Sequence, residues 1–381
     1  MRKFKIVYCV PSLYIPGGVE RVLTLKANYF AEHYGYDITI ILTDGKDKPY
    51  AFPLSEKVSV VNLNINFNEL WNCSFLKKVF LYLKKQHVYR KKLKEELMRI
   101  RPDITDSLLR RDINFINEIH DGSKKIGELH VNRANYRNFE ANETNFAKNL
   151  FSKYWIHDLI CHLKKLDKFV VLTEEDKATW VELNNVVAIP NPISFKVECV
   201  STLSQKRVIA VGRYAYQKGF DLLLKAWSIV EKHNIEWSLC IYGSGDREPY
   251  QRQIEVLNIN KERCHLYGNT NEIQKEYQNS SIFVVSSRFE GLSMAMLEAI
   301  AFGLPVVSFA CPCGPRDVIA DGVNGILVPK DDIEGLAKAL LWLMKSPEQI
   351  KKMGENALKR SEDFKMEVLA NQWKDLFMSL S

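Results

Sequence analysis

The stretch Glu290-Gly291-Leu292-Ser293-Met294-Ala295-Met296-Leu297-Glu298 follows the apolar run from Ser281 to Ser287 and opens a helical pattern. A run that is apolar throughout is typical of a strand in a parallel sheet, where both faces are buried. The first backbone N–H groups of the helix have no partner inside it, and the helix dipole favours an anion beside them. The flanking glutamates can accept hydrogen bonds from hydroxyl groups. This unit therefore suits a sugar–diphosphate–ribose molecule.

The same alternation of strand and helix extends through the chain and predicts parallel sheets covered on both faces. In the first half the strand-like runs are Phe4 to Leu13, Asp37 to Thr43, Val58 to Leu63, Asp103 to Leu108, Lys124 to Val131 and Lys168 to Leu172. Two prolines break the pattern at Ile189-Pro190-Asn191-Pro192-Ile193. It restarts with Arg207 to Gly212, Trp237 to Gly243, His265 to Tyr267, Ser281 to Ser287 and Pro305 to Phe309. We therefore predict two doubly wound α/β domains, residues 1–190 and 191–364.

Length and charge agree with two domains and single out one helix. A chain of 381 residues, of which 46% are hydrophobic, is too long for one ordinary core. Its net charge is +7. Residues 1–190 hold 30 basic and 23 acidic residues, so the whole excess lies in the first half. Residues 77–101 alone carry ten basic and two acidic residues, with apolar residues at helical spacing: Val79, Tyr82, Leu83, Tyr89, Leu93, Leu97 and Ile100. This segment is either a surface helix packed on the sheet or, in addition, a helix attracted to an anionic membrane surface.

Other composition signals narrow the class of protein. The eight cysteines show no Cys-x-x-Cys spacing and are expected to be reduced core thiols, and the close pair Cys311-Pro312-Cys313 lacks further ligands for a metal. No apolar run reaches the roughly 20 residues of a spanning helix, and the N-terminus looks like a strand rather than a signal peptide. We expect a cytoplasmic protein with no metal, no cofactor and no nucleic-acid partner.

In the first domain the candidate residues follow strands. Gly17 and Gly18 stand between the first strand and a helix, where they permit positive φ and a close approach of a phosphate or sugar to the backbone. His130 lies at the carboxyl end of a later strand, at the edge where parallel sheets bind ligands. Either feature alone is also compatible with a purely structural role.

In the second domain cations and carboxylates share the corresponding edge. Arg213 ends the first strand and Lys218 precedes the next helix, so both can converge on one pyrophosphate, unless they are merely solvated surface charges. Gly243 follows a strand and is expected to give room for a ligand edge; a dinucleotide fingerprint is excluded because its third glycine is missing. Glu290 and Glu298 would lie about 12 Å apart on a continuous helix, too far for an acid/base pair. We expect Glu290 to bind hexose hydroxyls and Glu298 ribose hydroxyls, with Gly291, Leu292 and Ser293 on the phosphates.

Together these residues resemble the GT-B glycosyltransferases of family four, the glycosyl transferases group 1. The likeness is strongest from Arg207 to Pro329 and includes Ala301 to Val307 and Asp321 to Val328. The turn Cys311 to Arg316 resembles a Cys-Pro-x-Gly-Pro turn of bacterial surface-polysaccharide and lipopolysaccharide members, in which the third residue is not usually cysteine. The resemblance is weakest from Asn66 to Phe151, which would contain most of the acceptor-binding surface.

The resemblance implies a fold, a reaction and roles for residues. It implies two Rossmann-like domains facing across a cleft, with the acceptor bound by residues 1–190, the nucleotide sugar mainly by residues 191–364, and a last helix, 365–381, packing back on the first domain. It implies retaining, metal-independent transfer, in which the departing β-phosphate oxygen helps to remove the acceptor proton. His130 matches a histidine that related enzymes place beside the donor sugar.

The favoured hypothesis is transfer of a hexose or N-acetylhexosamine from a UDP-sugar to a lipid-linked or lipopolysaccharide-type glycan, at the inner face of the membrane. Three alternatives remain at this stage. They are a soluble transferase that uses UDP- or ADP-glucose on small molecules, a non-catalytic nucleotide-sugar binding module, and an epimerase.

Overall fold

The computed structural model describes residues 2–72, 74–136, 146–233 and 236–381. The contacts between residues divide the chain into two compact units. Unit 1 comprises residues 1–172, 176–189 and 369–381, and unit 2 comprises residues 173–175 and 190–368. The main crossing of the chain from unit 1 to unit 2 thus falls between Ile189 and Pro190.

Unit 1 is built on a parallel sheet whose strands, within the described residues, follow the order β3-β2-β1-β4-β5-β6-β7. The strands are β1 (Lys5–Val10), β2 (Asp37–Leu42), β3 (Val58–Asn62), β4 (Ile104–Ser107), β5 (Lys124–Glu128), β6 (Lys168–Val171) and β7 (Val186–Ala188). Its helices are α1 (Gly18–Tyr29), α2 (Phe75–Ile100), α3 (Phe146–Leu163) and α4 (Glu174–Thr179), of which α4 begins in unit 2. The sheet order reverses direction at β1 and β4, which is where doubly wound sheets bind ligands.

Unit 2 repeats the plan with the order β10-β9-β8-β11-β12-β13, again parallel throughout. Its strands are β8 (Arg207–Val211), β9 (Ser238–Tyr242), β10 (Cys264–Tyr267), β11 (Ile282–Val285), β12 (Val306–Phe309) and β13 (Gly325–Val328). Its helices are α5 (Phe220–Glu231), α6 (Glu248–Val256), α7 (Ile273–Gln278), α8 (Met294–Ala301), α9 (Pro315–Val318), α10 (Ile333–Met344) and α11 (Pro347–Ser361). The predicted α/β class with two doubly wound sheets is confirmed.

The chain ends in α12 (Met366–Ser379), whose buried side chains belong to unit 1. Phe377 is fully buried, with its ring 5.9 Å from Phe4 and 5.7 Å from Phe30. Residues 369–381 therefore complete a part of the unit 1 core whose partners, Phe4 and Phe30, lie more than 300 positions earlier in the chain.

The basic helix α2 differs from the expectation along its first half. Tyr89, Leu93 and Leu97 pack into the core of unit 1 as predicted. Val79 and Leu83 were expected on the same buried stripe, but they are 45% and 62% exposed, whereas Leu81 and Tyr82 from the same turns pack against that core. No helix of the described residues is long and apolar enough to cross a membrane.

Candidate active site

The loop that follows β8 is held in place from several sides within unit 2. Gly219 has φ +62°, and a Cβ there would overlap the carbonyl oxygen of Ser286. The Ser286 hydroxyl in turn donates to the Lys218 carbonyl at 2.9 Å. Arg288 forms a two-pronged ion pair with Asp221 at 2.8 and 2.6 Å. The backbone that carries Lys218 is thus fixed against the loop after β11.

Lys218 and Glu290, both predicted site residues, are brought into direct contact. The Lys218 Nζ donates to Glu290 Oε1 at 2.6 Å, and the Ser287 hydroxyl donates to the same oxygen at 2.6 Å. The Lys218 side chain is 16% exposed and that of Glu290 is 5% exposed. The alternative of solvated surface charges therefore does not hold for this pair, which can orient a cation toward an anionic ligand.

Three neighbouring backbone amides have no hydrogen-bond partner among the residues that the structure describes. Helix α8 begins at Met294 with Ser293 as its N-cap, and the carbonyl of Ser293 accepts from the amides of Met296 and Leu297. The N–H groups of Gly291, Leu292 and Ser293 donate to no group in the described part of the chain. Unsatisfied amides at a helix start, beside a partly buried Lys–Glu pair, form a place where a phosphate can be bound.

Glu298 lies on α8 and is held by two hydroxyl groups. Oε1 accepts from the Ser194 hydroxyl and Oε2 from the Tyr277 hydroxyl at 3.0 Å. The residue is 5% exposed, so Glu298 is not a solvated glutamate on the surface of the helix. The predicted ribose contact stays a prediction, and these hydroxyls fix the orientation of the carboxylate that would make it.

Arg213 and Gly243 lie at the carboxyl ends of neighbouring strands. Arg213 is exposed, and its guanidinium donates to Gln217 at 3.4 Å, which leaves most of its donors available. The expected reason for Gly243 needs correction. A Cβ at Gly243 would overlap the Gly212 carbonyl oxygen, so the missing side chain makes room for the neighbouring backbone rather than for a ligand.

In unit 1, Gly17 is the N-cap of α1 and Gly18 is its first residue. Gly17 has φ −98°, and Gly18 is not among the residues with positive φ, so neither glycine uses the positive φ that it permits. A Cβ at Gly17 would instead overlap the Glu20 carboxylate, which folds back over the turn. Burial raises the pKa of Glu20.

His130 follows β5 and is placed by a glutamate from that strand. The His130 Nε2 lies 3.4 Å from Glu128 Oε2, and the two side chains are 8% and 4% exposed. Glu128 Oε1 accepts a hydrogen bond from Lys26 on α1. Lys26 is itself buried under two aromatic rings, 3.9 Å from the Trp373 centroid and 4.9 Å from the Tyr8 centroid.

A second carboxyl group, Asp106 on β4, lies 3.9 Å from the Lys26 ammonium. Burial, and then the Glu128 carboxylate, raise the pKa of Asp106 well above its ordinary value, which favours its protonated form. Burial also acts to raise the pKa of Glu128, but Lys26 and His130 outweigh it and leave that pKa below its ordinary value. The cluster therefore contains one buried cation and one buried anion.

Sequence analysis missed this cluster, although a signal was present. Glu128 lies inside the strand-like run from Lys124 to Val131, and Lys26 stands on the same helix face as Val22, Leu23 and Ala27, which are buried. A charge at a core position has to find a partner, because an unpaired buried charge is very costly. A buried lysine and a buried glutamate in one domain are therefore candidates to pair with each other. Their separation of 102 residues in the sequence does not by itself show the contact.

The cysteines are free thiols wherever the structure describes them, but Cys161 and Cys199 are exposed, which corrects the expectation of core thiols for these two. Burial raises the pKa of Cys311 to about 12, so its thiol stays protonated. Cys313 has φ +62°, and its amide donates to Glu175 at 3.2 Å. Among the described residues no group of three or more His, Cys, Asp or Glu side chains could hold a metal ion.

Comparisons with known proteins agree with this architecture. The family model described as Glycosyl transferases group 1 matches residues 198–360. An uncharacterized glycosyltransferase of Haemophilus influenzae is 30% identical over 379 residues, covering 98% of this chain and 99% of the relative. The amylovoran biosynthesis glycosyltransferase AmsD of Erwinia amylovora is 31% identical over 221 residues, covering 55% of this chain and 62% of AmsD.

A solved structure of similar fold is that of a TarM mutant from S. aureus in complex with Fondaparinux, alpha-GlcNAc-glycerol and UDP. It has a TM-score of 0.75 and 17% identity, and the alignment covers 98% of this chain and 99% of that chain. At this identity the likeness bears on the fold alone, and it confirms the predicted GT-B type with two Rossmann-like domains.

Proposed function

The chain belongs to the glycosyl transferases group 1 family and is a glycosyltransferase, and from that premise we propose its donor, acceptor and mechanism. It transfers a hexose or N-acetylhexosamine from a UDP-sugar to a lipid-linked or lipopolysaccharide- or capsule-type glycan. The transfer retains the configuration at the anomeric carbon and needs no metal. The work of AmsD in amylovoran biosynthesis supports a surface-polysaccharide acceptor, and the UDP bound by the TarM mutant supports the nucleotide.

One observation carries the proposal: the Lys218–Glu290 pair lies beside three amides that have no partner in the part of the chain that the structure describes. A nucleoside diphosphate leaving group gains negative charge as its bond to the sugar breaks. This negative charge can be stabilised by Lys218, by the free donors of Arg213 and by the amides of residues 291–293. These groups would take the place of a divalent metal ion. Glu290 holds the Lys218 ammonium in place and presents its carboxylate to the hydroxyls of the sugar.

In this mechanism the transfer needs no protein side chain as a base. The bond between the anomeric carbon and the β-phosphate oxygen breaks, and the acceptor oxygen bonds to the same face of that carbon. The acceptor proton passes to the departing phosphate oxygen. His130 lies beside the sugar and Glu298 binds the ribose hydroxyls in this proposal, with Gly17, Gly18 and Gly243 shaping the backbone around the donor.

Slow hydrolysis of a panel of nucleotide sugars, followed by NMR, tests this assignment. We expect release of UDP with the α-anomer of the sugar as the first product, at the same rate with and without a chelator. Loss of activity in the chelator would contradict metal independence. A β-anomer as the first product would contradict retention, and preferred use of an ADP-sugar would favour the small-molecule alternative.

The exposed face of α2 supports a location at an anionic membrane surface. Phe80, Leu83 and Met98 are 69%, 62% and 49% exposed, and they lie on the same side of the helix as the exposed Lys84 and Lys91. A mixture of apolar and basic side chains is what a helix presents when it lies in a membrane interface. Lys85 and Lys92, in contrast, donate to backbone carbonyls of residues 63–66.

This difference gives a matched pair of variants for flotation with anionic and neutral vesicles. Lys84→Gln with Lys91→Gln removes two outward charges, and we expect about 2 kcal/mol less binding to anionic vesicles. Lys85→Gln with Lys92→Gln removes the same charge from the inner side and should bind vesicles more tightly than the first pair. Equal binding by both variants and the unchanged protein would contradict a membrane role for α2.

A further inference from the structure

His130 has one ring nitrogen beside a carboxylate and one with no hydrogen-bond partner among the described residues. Its Nε2 lies 3.4 Å from Glu128 Oε2, whereas Nδ1 is buried and has no hydrogen-bond partner within the described residues. The imidazole is only 8% exposed. Buried polar atoms in folded proteins almost always have a partner, so an orphaned Nδ1 at the carboxyl edge of the sheet indicates that a ligand supplies one.

The carboxylate that meets Nε2 cannot easily turn away. Glu128 Oε1 accepts from Lys26, and Lys26 is enclosed by the Tyr8 and Trp373 rings. Each oxygen of Glu128 therefore has its own partner, one on α1 and one on the imidazole. Since Trp373 lies on α12, the chain of contacts runs from the last helix through Lys26 and Glu128 to His130.

We propose that Glu128 is a positioning residue that accepts the Nε2–H of His130 and thereby leaves Nδ1 as the acceptor for a hydroxyl group of the transferred sugar. The choice of a sugar hydroxyl rests on the proposed function; the fixed tautomer does not. A neutral imidazole carries its proton on one nitrogen only, and the hydrogen bond made by the other partner decides which. A carboxylate can only accept here, so it selects the proton on Nε2 and the lone pair on Nδ1.

Replacing Glu128 alone would leave the Lys26 ammonium buried without its anion. The test therefore uses the double variant Lys26→Met with Glu128→Gln, which removes both charges together. An amide can either donate to or accept from Nε2, so it no longer selects the tautomer. We expect 15N NMR of the imidazole, at a pH where it is neutral, to show the Nε2–H form dominant in the unchanged protein and a mixture in the double variant.

Asp106→Asn provides the matched control in the same cluster. The protonated form of Asp106 is favoured, so asparagine keeps its neutral charge and a hydrogen-bond donor. We expect this variant to keep the His130 tautomer, kcat and Tm of the unchanged protein. A change in tautomer here equal to that in the double variant would overturn the specific role of Glu128.

A double-mutant cycle with His130→Ala then separates positioning from general damage. We expect the Lys26→Met, Glu128→Gln variant to lose about tenfold in kcat while its affinity for UDP stays within about twofold. In a His130→Ala background the same two changes should cost less than about twofold more, because their effect passes through the imidazole. Equal losses in both backgrounds, or an unchanged tautomer, would overturn the proposal.

The two hypotheses fail in distinguishable ways. If no nucleotide sugar is turned over by the unchanged protein, the proposed function fails, while the NMR measurement still decides whether Glu128 fixes the tautomer. If turnover is normal in the double variant, the proposed function stands and the positioning role is wrong.

Discussion

Each unit pairs a lysine from the segment after its first strand with a glutamate from the other half of its sheet, but the two pairs meet different amounts of water. In unit 1 the Lys26 and Glu128 side chains are 3% and 4% exposed. In unit 2 the values for Lys218 and Glu290 are 16% and 5%. Lys26 is covered by aromatic rings, whereas Lys218 borders amides that have no partner among the described residues. The same ion pair thus holds a neighbouring side chain in one unit and can meet a ligand in the other.

The largest expected effect concerns the drier pair. Lys26→Met leaves Glu128 buried without its cation, and removing one partner of a buried pair costs about 3–5 kcal/mol in the free energy of unfolding. Lys218→Met should cost about 1–2 kcal/mol, because water and the Ser287 hydroxyl still reach Glu290.

Urea unfolding with hydrogen exchange resolved for each unit would measure both losses. Adding Glu128→Gln to Lys26→Met should recover most of the loss, since no buried charge is then left unpaired. Equal losses in the free energy of unfolding for Lys26→Met and Lys218→Met would contradict the difference between the two pairs.

The next effect concerns turnover. Arg213→Ala and Lys218→Ala should each lower kcat by at least about a hundredfold if these cations stabilise the developing phosphate charge. Only Lys218→Ala should also lower Tm, because Arg213 is exposed and contacts only Gln217 among the described residues. Steady-state kinetics and thermal unfolding check the two halves of this prediction. Unchanged turnover in both variants would refute the role in catalysis.

The smallest expected effect concerns the buried carboxyl group of Asp112 in unit 1. Burial raises the pKa of Asp112 to about 6, and one of its oxygens lacks a partner. The folded protein thus binds this proton more tightly than the unfolded chain does, so Asp112 destabilises the fold as the pH rises from about 4 to about 6 and not further above it.

Asp112→Asn should therefore raise the free energy of unfolding by about 2 kcal/mol at pH 7 and by much less at pH 4. Unfolding by urea at several pH values gives this difference. A gain that is the same at pH 4 and pH 7 would show that the asparagine acts through packing rather than charge.

Most of the fold could be predicted from the sequence, because strands that are buried on both faces appear there as continuous apolar runs. Every strand named in advance is present, with shorter ends except for β10, which begins one residue earlier, at Cys264, while β7 and β13 were not predicted. Glu290, Lys218 and the amides could be predicted because loops after parallel strands lie at one edge.

The rest depended on contacts that spacing does not encode. The reason for Gly243 was wrong because its neighbour, the Gly212 carbonyl, comes from another strand. Lys85 and Lys92 look like the other lysines of α2 in sequence, yet they donate to loop carbonyls about 20 to 29 residues away. Glu128 and Trp373 could not be joined to His130 without the fold.

The return of α12 to unit 1 has a consequence for how the protein is made. During synthesis residues 369–381 are made after the whole of unit 2. Until then, Phe4 and Phe30 cannot pack against Phe377, and the Lys26 ammonium is not covered by Trp373. The domain that begins first is finished last. A fragment that stops at Ile189 would expose an apolar gap and a half-covered charge, so unit 1 is best prepared by joining residues 369–381 to it rather than by cutting the chain at the linker.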